Sequence, residues 1–310
     1  MAMNLHLLRI FYTVAERHSF SRAAEALFIT QPAVSKAVRE LEQQLAVPLI
    51  ERGVGVGRAA RGVLLTESGQ ALFEHARGIF ALERAASDDL QARLQLRRGR
   101  LVVGASSTIA GYWLPEYAAT FMQRFPTIEL QVRAGNTQAV TRALIECETD
   151  LALVEGTVED PRLAVTHWRD EALQIIAPVR AVAALTPGVA ARALNQQTWL
   201  MREPGSGTRA VTEQLLGRLA IVPRRAIEFA SNEGIARAVA AGLGVAMLPA
   251  KVVRELVAMK ELGVLRVRYR TDLLRPLFLL QLRARPASPL AAQFAASITA
   301  APLRLRSPAR

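Results

Sequence analysis

Apolar residues at Leu5, Leu8, Phe11, Val14 and Ala15 recur at the spacing of one helix face, and the polar run Glu16 to Ser19 ends the pattern. Ser21 stands ahead of Arg22-Ala23-Ala24-Glu25-Ala26-Leu27, where its hydroxyl is placed to cap a short, Ala-rich second helix. Thr30-Gln31-Pro32 then restarts a helix, because Thr can cap and Pro is tolerated in a first turn. Ala33, Val34, Ala37, Val38, Leu41 and Leu45 give that helix an apolar face and leave Gln31, Ser35, Lys36 and Arg39 on the other. Two short helices across a tight turn, the second presenting Gln, Ser, Lys and Arg, make a helix-turn-helix. After Pro48, glycines at 53, 55, 57 and 62 alternate with Arg52, Arg58 and Arg61 before Val63-Leu64-Leu65, which predicts a basic wing with a short returning strand.

From Thr66 a helix of nearly thirty residues is predicted, with Leu72, Ala76, Ile79, Ala86, Leu90 and Leu94 as one apolar seam suited to dimerisation. Arg97-Arg98-Gly99-Arg100 reads as a hinge. Beyond it, strands alternate with helices, which argues for parallel sheets. Strands are predicted at 101–106, 128–134, 150–155, 173–178, 198–202, 226–229, 244–248 and 277–282. Helices are predicted at 113–125, 137–147, 209–218, 235–241 and 290–298. The last strand and helix have no partner nearby and are expected to return to the first of two lobes, with crossings near 168 and 269. The fold class is therefore an all-α winged helix-turn-helix head with a long linker helix, followed by an α/β two-lobed domain. The expected boundaries are 1–66 for the head, 67–96 for the linker and 97–310 for the domain. Its first lobe takes about 100–168 and 270–300, its second about 169–269.

The net charge of +12 suggests a nucleic-acid partner only until it is divided along the chain. Residues 1–95 hold 11 Arg or Lys against 10 Asp or Glu, so the excess lies outside the proposed head. The longest apolar run, Ala172 to Ala191, contains Pro178 and Arg180, and His6 and Arg9 interrupt the apolar amino terminus, so neither a membrane span nor a secretory signal is read. The one cysteine, Cys147, lies between two glutamates, which points to a reducing cytoplasm and not to a reactive thiolate.

Three polar clusters each follow a strand and head a helix: Ser106-Ser107-Thr108, Asn136-Thr137 and Ser206-Gly207-Thr208. Helix amino termini offer free N–H groups and a positive dipole end, so together they predict an anion-binding cleft between the lobes, although each alone could be a plain cap. Glu155 and Glu203 would repel an anion unless paired, with Arg202 or Arg209 as candidate partners, or unless the ligand also carries a donor. Gly55-Val56-Gly57 lacks the strand and helix of a dinucleotide site. His6, His18, His75 and His167 show no metal-ligand spacing, and Ser206 lacks a nucleophile elbow. No cofactor, metal or enzyme activity is indicated.

Phe11, Val14-Ala15-Glu16, Ser19-Phe20-Ser21-Arg22-Ala23-Ala24-Glu25, Leu27, Gln31-Pro32-Ala33-Val34-Ser35, Arg39, Leu41-Glu42, Leu45, Leu49, Arg52, Leu65-Thr66 and Gly69 resemble the LysR-type transcriptional regulators. The resemblance implies a periplasmic-binding-protein-like effector domain in the second half. It narrows, through Gly104 to Ile109, Gly135 to Thr137, Asp150 to Gly156, Arg202 to Arg209 and Ser231-Asn232-Glu233, to the branch that regulates carbon-fixation and sulfur-assimilation genes. Departures are Leu45-Ala46, Leu49-Ile50 and a wing about six residues longer than usual. The expected DNA contacts are Ser21, Arg22, Thr30, Gln31, Pro32, Ser35, Lys36, Arg39, Arg52, Arg58 and Arg61. The expected effector contacts are Ser106, Ser107, Thr108, Asn136, Thr137, Glu155, Glu203, Ser206, Gly207, Thr208 and Asn232. The resemblance further implies a cytoplasmic homo-oligomer, a dimer of dimers, on duplex DNA with an interrupted dyad, answering a small anionic metabolite and contacting no membrane. A solute-binding protein without DNA function and a cleft enzyme are the rival readings.

Overall fold

A computed structural model describes residues 3–51, 63–93, 99–185, 191–266 and 272–300, and the chain divides into two compact units, 1–86 and 87–310. The first contains α1 (Leu5–Arg17), α2 (Phe20–Leu27) and α3 (Gln31–Leu45), and the unit boundary falls within α4 (Glu67–Arg93). Asn4 caps α1 by accepting from the amides of His6 and Leu7. The cap of α2 is Ser19 and not Ser21, which lies inside the helix. Ser19 accepts from the Arg22 amide, and starting at Phe20 puts Phe20, Ala23, Ala24 and Leu27 on one packed face. Thr30 occupies the cap of α3 without a side-chain bond, and Pro32 lies in its first turn. Ala33 is exposed, so the packed face of α3 is Val34, Ala37, Val38 and Leu41.

Side chains tie α3 to α4. Glu42 Oε1 accepts from the Leu49 and Ile50 amides at 2.8 and 3.2 Å. Thr66 Oγ1 donates to the Pro48 carbonyl at 2.7 Å and accepts from the Gly69 amide at 3.0 Å. A Cβ at Gly69 would lie 1.9 Å from the Leu49 carbonyl oxygen, so only glycine fits. The predicted returning strand is one bridge, Ile50 to Leu65. The predicted wing, with Arg52, Arg58 and Arg61, lies outside the described residues, as do Leu94 and Arg97-Arg98. The seam of α4 divides: Ala76 and Phe80 are buried in the head core, whereas Ile79, Leu82 and Leu90 are exposed.

The second unit runs β1 (Arg100–Ser106), α5 (Ser107–Tyr112), α6 (Leu114–Arg124), β2 (Glu129–Gly135), α7 (Thr137–Ile145), β3 (Leu151–Glu155) and β4 (Leu163–Pro178). It continues with α8 (Val179–Leu185), α9 (Ala191–Asn195), β5 (Thr198–Arg202), α10 (Gly207–Arg218), β6 (Arg225–Phe229), α11 (Asn232–Ala240) and β7 (Ala246–Pro249). It closes with α12 (Ala250–Ala258), β8 (Leu262–Leu265), β9 (Leu274–Leu282) and α13 (Pro289–Thr299). The helix expected over 113–125 is α6, with Pro115 in its first turn, and an unexpected short helix, α5, precedes it across Trp113.

β1 pairs in parallel with β2 and β3, as β5 does with β6. The remaining pairings depart from the expected parallel sheets: β9 is antiparallel to β3 and β4, and β4 is antiparallel to β7 and β8. The cause is the return of the chain, since β9 and α13 place Leu277, Leu279, Phe294 and Ile298 in the first-lobe core with Leu101, Leu151 and Phe121. β4 serves both lobes, pairing with β9 as far as Ala172 and with β7 from Leu173. The predicted crossing near 269 lies outside the described residues.

Candidate functional site

Two constellations carry chemistry. In the head, Gln31, Ser35, Lys36 and Arg39 share the solvent-facing side of α3, where Arg39 Nη2 donates to Ser35 Oγ at 3.2 Å. Lys36 and Arg39 are both exposed on that side. Thr30 and Pro32 sit exposed at the amino terminus of α3, where unpaired N–H groups add positive potential. Ser21 and Arg22 are exposed on the first turn of α2.

In the second unit the strand ends deliver four helix amino termini to the seam between lobes: α5 and α7 from the first, α10 and α11 from the second. Ser106, Asn136 and Ser231 cap three of them by accepting from the amides of Ile109, Ala139 and Gly234. Ser106, Thr108, Thr137, Glu155, Ser206, Thr208 and Asn232 are all buried, an unusual density of polar side chains that must bond one another or a ligand. Asn232 Nδ2 donates to Thr108 Oγ1 across the seam at 2.7 Å. Asn136 Nδ2 donates to Glu203 Oε1 at 3.3 Å, and the Gln138 amide donates to the Gly205 carbonyl at 3.0 Å. Thr137 Oγ1 donates to the Glu155 carbonyl and exposed Ser107 to the Gly135 carbonyl. Gly207 lets the lobes touch, since a Cβ there would lie 2.0 Å from the Glu155 carbonyl oxygen. Beside this seam opens a groove of about 540 Å³ whose lining includes Thr137, Thr141, Glu155, Ser206, Gly207 and Arg209.

The two puzzling carboxylates are both paired. Glu203 takes a two-pronged bond from Arg202 at 2.7 and 2.8 Å. Burial raises the Glu203 carboxyl, but the bonds from Arg202, its charge and Asn136 outweigh it and leave the pKa below the ordinary value. Arg209 is engaged elsewhere, with Glu213 and Glu228. Glu155 meets Arg275, a residue that the motifs did not reveal. Arg275 is 0% exposed, donates through Nε and Nη2 to Glu171 at 2.8 and 2.6 Å, and reaches Thr208 Oγ1 at 2.6 Å and Glu155 Oε1 at 3.3 Å through Nη1. Trp113 Nε1 donates to the other Glu171 oxygen at 2.8 Å.

Lys251 from the second lobe lies 3.7 Å from the centre of the Trp113 ring and donates to the Tyr112 carbonyl. Burial first, then the Glu233 carboxylate, push the Tyr112 hydroxyl up to about 12. A signal for Arg275 lies in the sequence: an arginine at the head of the largely apolar strand Leu274 to Leu282 must be paired if it is buried. Among the described residues no group of three or more His, Cys, Asp or Glu could hold a metal, and no helix is long and apolar enough to cross a membrane.

Comparison with known proteins gives matches to both parts. The profile of the LysR substrate binding domain matches residues 94–302, and that of the bacterial regulatory helix-turn-helix protein, lysR family, matches residues 5–70. The HTH-type transcriptional regulator CfxR of Cupriavidus necator is 36% identical over 253 residues, covering 80% of this chain and 76% of that protein. A RuBisCO operon transcriptional regulator of Allochromatium vinosum is 32% identical over 248 residues, 80% of each. A full-length OxyR variant from Pseudomonas aeruginosa superposes with a TM-score of 0.76 at 24% identity, covering 96% of this chain and 95% of that one. The regulatory domain of CcmR from Synechocystis PCC6803, solved in complex with 2-PG, superposes with a TM-score of 0.60 at 27% identity, covering 67% of this chain and 99% of that one.

Proposed function

This chain belongs to the LysR family of bacterial transcriptional regulators, and from that membership we propose how its residues divide the work. It is a DNA-binding regulator with an effector-binding domain and not an enzyme, and its relatives include a RuBisCO operon regulator, on the carbon-fixation side of the branch that its motifs resemble. We assign 1–66 to the DNA-reading head, 67–96 to the linker and 97–310 to the effector domain. Thr30, Gln31, Pro32, Ser35, Lys36 and Arg39 meet base edges and phosphates in a major groove, Ser21 and Arg22 meet the backbone, and Arg52, Arg58 and Arg61 act from the wing. The exposed Ile79, Leu82 and Leu90 of α4 support pairing with a second copy, so that two heads span an interrupted dyad. A protein that reads promoters works where the chromosome is, which places it in the cytoplasm.

A small anionic metabolite binds between the lobes, contacting Ser106, Ser107, Thr108, Asn136, Thr137, Glu155, Glu203, Ser206, Gly207, Thr208 and Asn232. The observation that carries this reading is the meeting of four helix amino termini, rich in buried hydroxyl and amide groups, at one seam. The complex of CcmR with 2-PG supports a small anion of that kind. Ligand affinity that differs between lobe arrangements shifts how the heads sit on DNA.

The test is the Lys36→Ala and Arg39→Ala double variant on the promoter fragment upstream of its own gene. DNA affinity falls and the slope of log K against log salt flattens by about one per lost phosphate contact, while the thermal shift given by 2-PG is retained. Unchanged DNA binding overturns the reader assignment, and absence of a shift with 2-PG, phosphate, simple carboxylates and hydroxylated or aminated acids alike overturns the anion assignment.

A further inference from the structure

The Glu155 carboxylate is built for a second partner. Its side chain is 3% exposed; Oε1 accepts from Thr208 and Arg275, but Oε2 is buried with no donor among the described residues. Arg275 directs its shorter bonds elsewhere, two to Glu171 and a third to Thr208. One guanidinium thus sits between two carboxylates, and one of them, Glu155, belongs to a residue that lines the groove. Asn232 repeats the pattern: its Nδ2 is engaged with Thr108, and its Oδ1 is buried without a partner. Both of these atoms are acceptors, whereas the Thr141 hydroxyl, also buried without a partner among the described residues and in the groove lining, can donate to the anion itself.

A bare oxyanion offers acceptors only. It would satisfy the helix amides while leaving these oxygens unpaired, and Glu155 would repel it. Resting on the reading that an anion binds between the lobes, we propose that the natural effector carries a hydrogen-bond donor, a hydroxyl or ammonium group, beside its acidic group, and that Glu155 Oε2 receives that donor. Glu155 then selects among anions, admitting hydroxylated or aminated acids over plain ones. Arg275, Glu171 and Trp113 are positioning residues that hold the carboxylate in place.

The test is calorimetric titration of the full chain with matched probes: glycerol 3-phosphate against n-propyl phosphate, 2-aminoethyl phosphate against ethyl phosphate, and lactate against propionate. A hydrogen bond to a buried carboxylate corresponds to about tenfold to a hundredfold in affinity, so at least one donor-bearing probe binds tighter than its match by that factor. In Glu155→Met, where Arg275 keeps Glu171, that advantage disappears and the plain anion binds better than it does to the native protein. A purely structural role for Glu155 would not produce that reversal. Glu155→Leu, which likewise has no acceptor, provides the same comparison if Glu155→Met fails to fold. Equal affinity within every pair, or an advantage that survives loss of Glu155, overturns the proposal and leaves the anion reading intact. No binding by any probe overturns both.

Discussion

Replacing Arg275 with methionine keeps most of the side-chain volume and removes the cation that Glu155 and Glu171 share. Both carboxylates are almost fully buried, with side chains 3% exposed, so neither can recover its hydration where it stands. Breaking a buried pair by deleting one partner typically costs about 3–5 kcal/mol, because the charge left behind is uncompensated. Here two are left behind, and only Trp113 and Thr208 still donate to them. For a domain of this size each kcal/mol lowers the melting temperature by about 2–4 °C, so Arg275→Met should melt about 6–20 °C lower. Scanning calorimetry measures the shift, and urea unfolding with an unchanged slope checks that the native state is otherwise intact. Adding Glu155→Gln and Glu171→Gln to the same chain should restore at least half of the loss, since no buried charge then lacks a partner. A single variant within about 1 kcal/mol of the native protein would refute the network's electrostatic reading.

The remaining predictions are smaller in scope. Gly207→Ala places a Cβ 2.0 Å from the Glu155 carbonyl oxygen, so the lobes must part; small-angle scattering should show a more extended second unit and anion binding should weaken. Gly69→Ala meets the Leu49 carbonyl at 1.9 Å, and the head should lose cooperative folding by circular dichroism. Ser19→Ala removes the cap of α2 and should cost about 1 kcal/mol, whereas Ser21→Ala should leave stability unchanged within about 0.5 kcal/mol. Because the Glu203 pKa is lower in the folded state, its stabilisation is present above pH 4.5 and fades as pH falls through the depressed folded value; Glu203→Gln should flatten the acid limb of the stability curve in that window.

The amphipathic period of α1 and α3, the turn between α2 and α3, and the polar heads of α5, α7 and α10 are local patterns, and the sequence displays them directly. Ser19-Phe20-Ser21 offers two caps in three residues, and only the packing of Phe20 selects Ser19 over Ser21. The pairing of β9 with β3 and β4 depends on the chain returning across more than a hundred residues, so its antiparallel sense is invisible in local periodicity. Arg275 shows the same limit in the site. Its partners lie 104 and 120 residues away, and only the register of β9 against β4 decides that Glu171 is one of them. The pairing of Glu203 was half legible, since Arg202 is its neighbour in sequence, yet strand alternation alone would have sent the two side chains to opposite faces.

The division of faces along α4 bears on how this regulator can be cut and recombined. Its first turns do more than connect: Ala76 and Phe80 fill the head's core, Phe73 stacks on Tyr12 at 5.2 Å, and Arg9 of α1 pairs with Glu83. A fragment ended at Thr66 would strip Tyr12 and Arg9 of their partners Phe73, Phe80 and Glu83, and a chimera joined there would pack a foreign helix against a surface shaped for this one. Grafts that exchange reading specificity should instead be spliced after Ala86, carrying the head together with the stretch of rod that completes it.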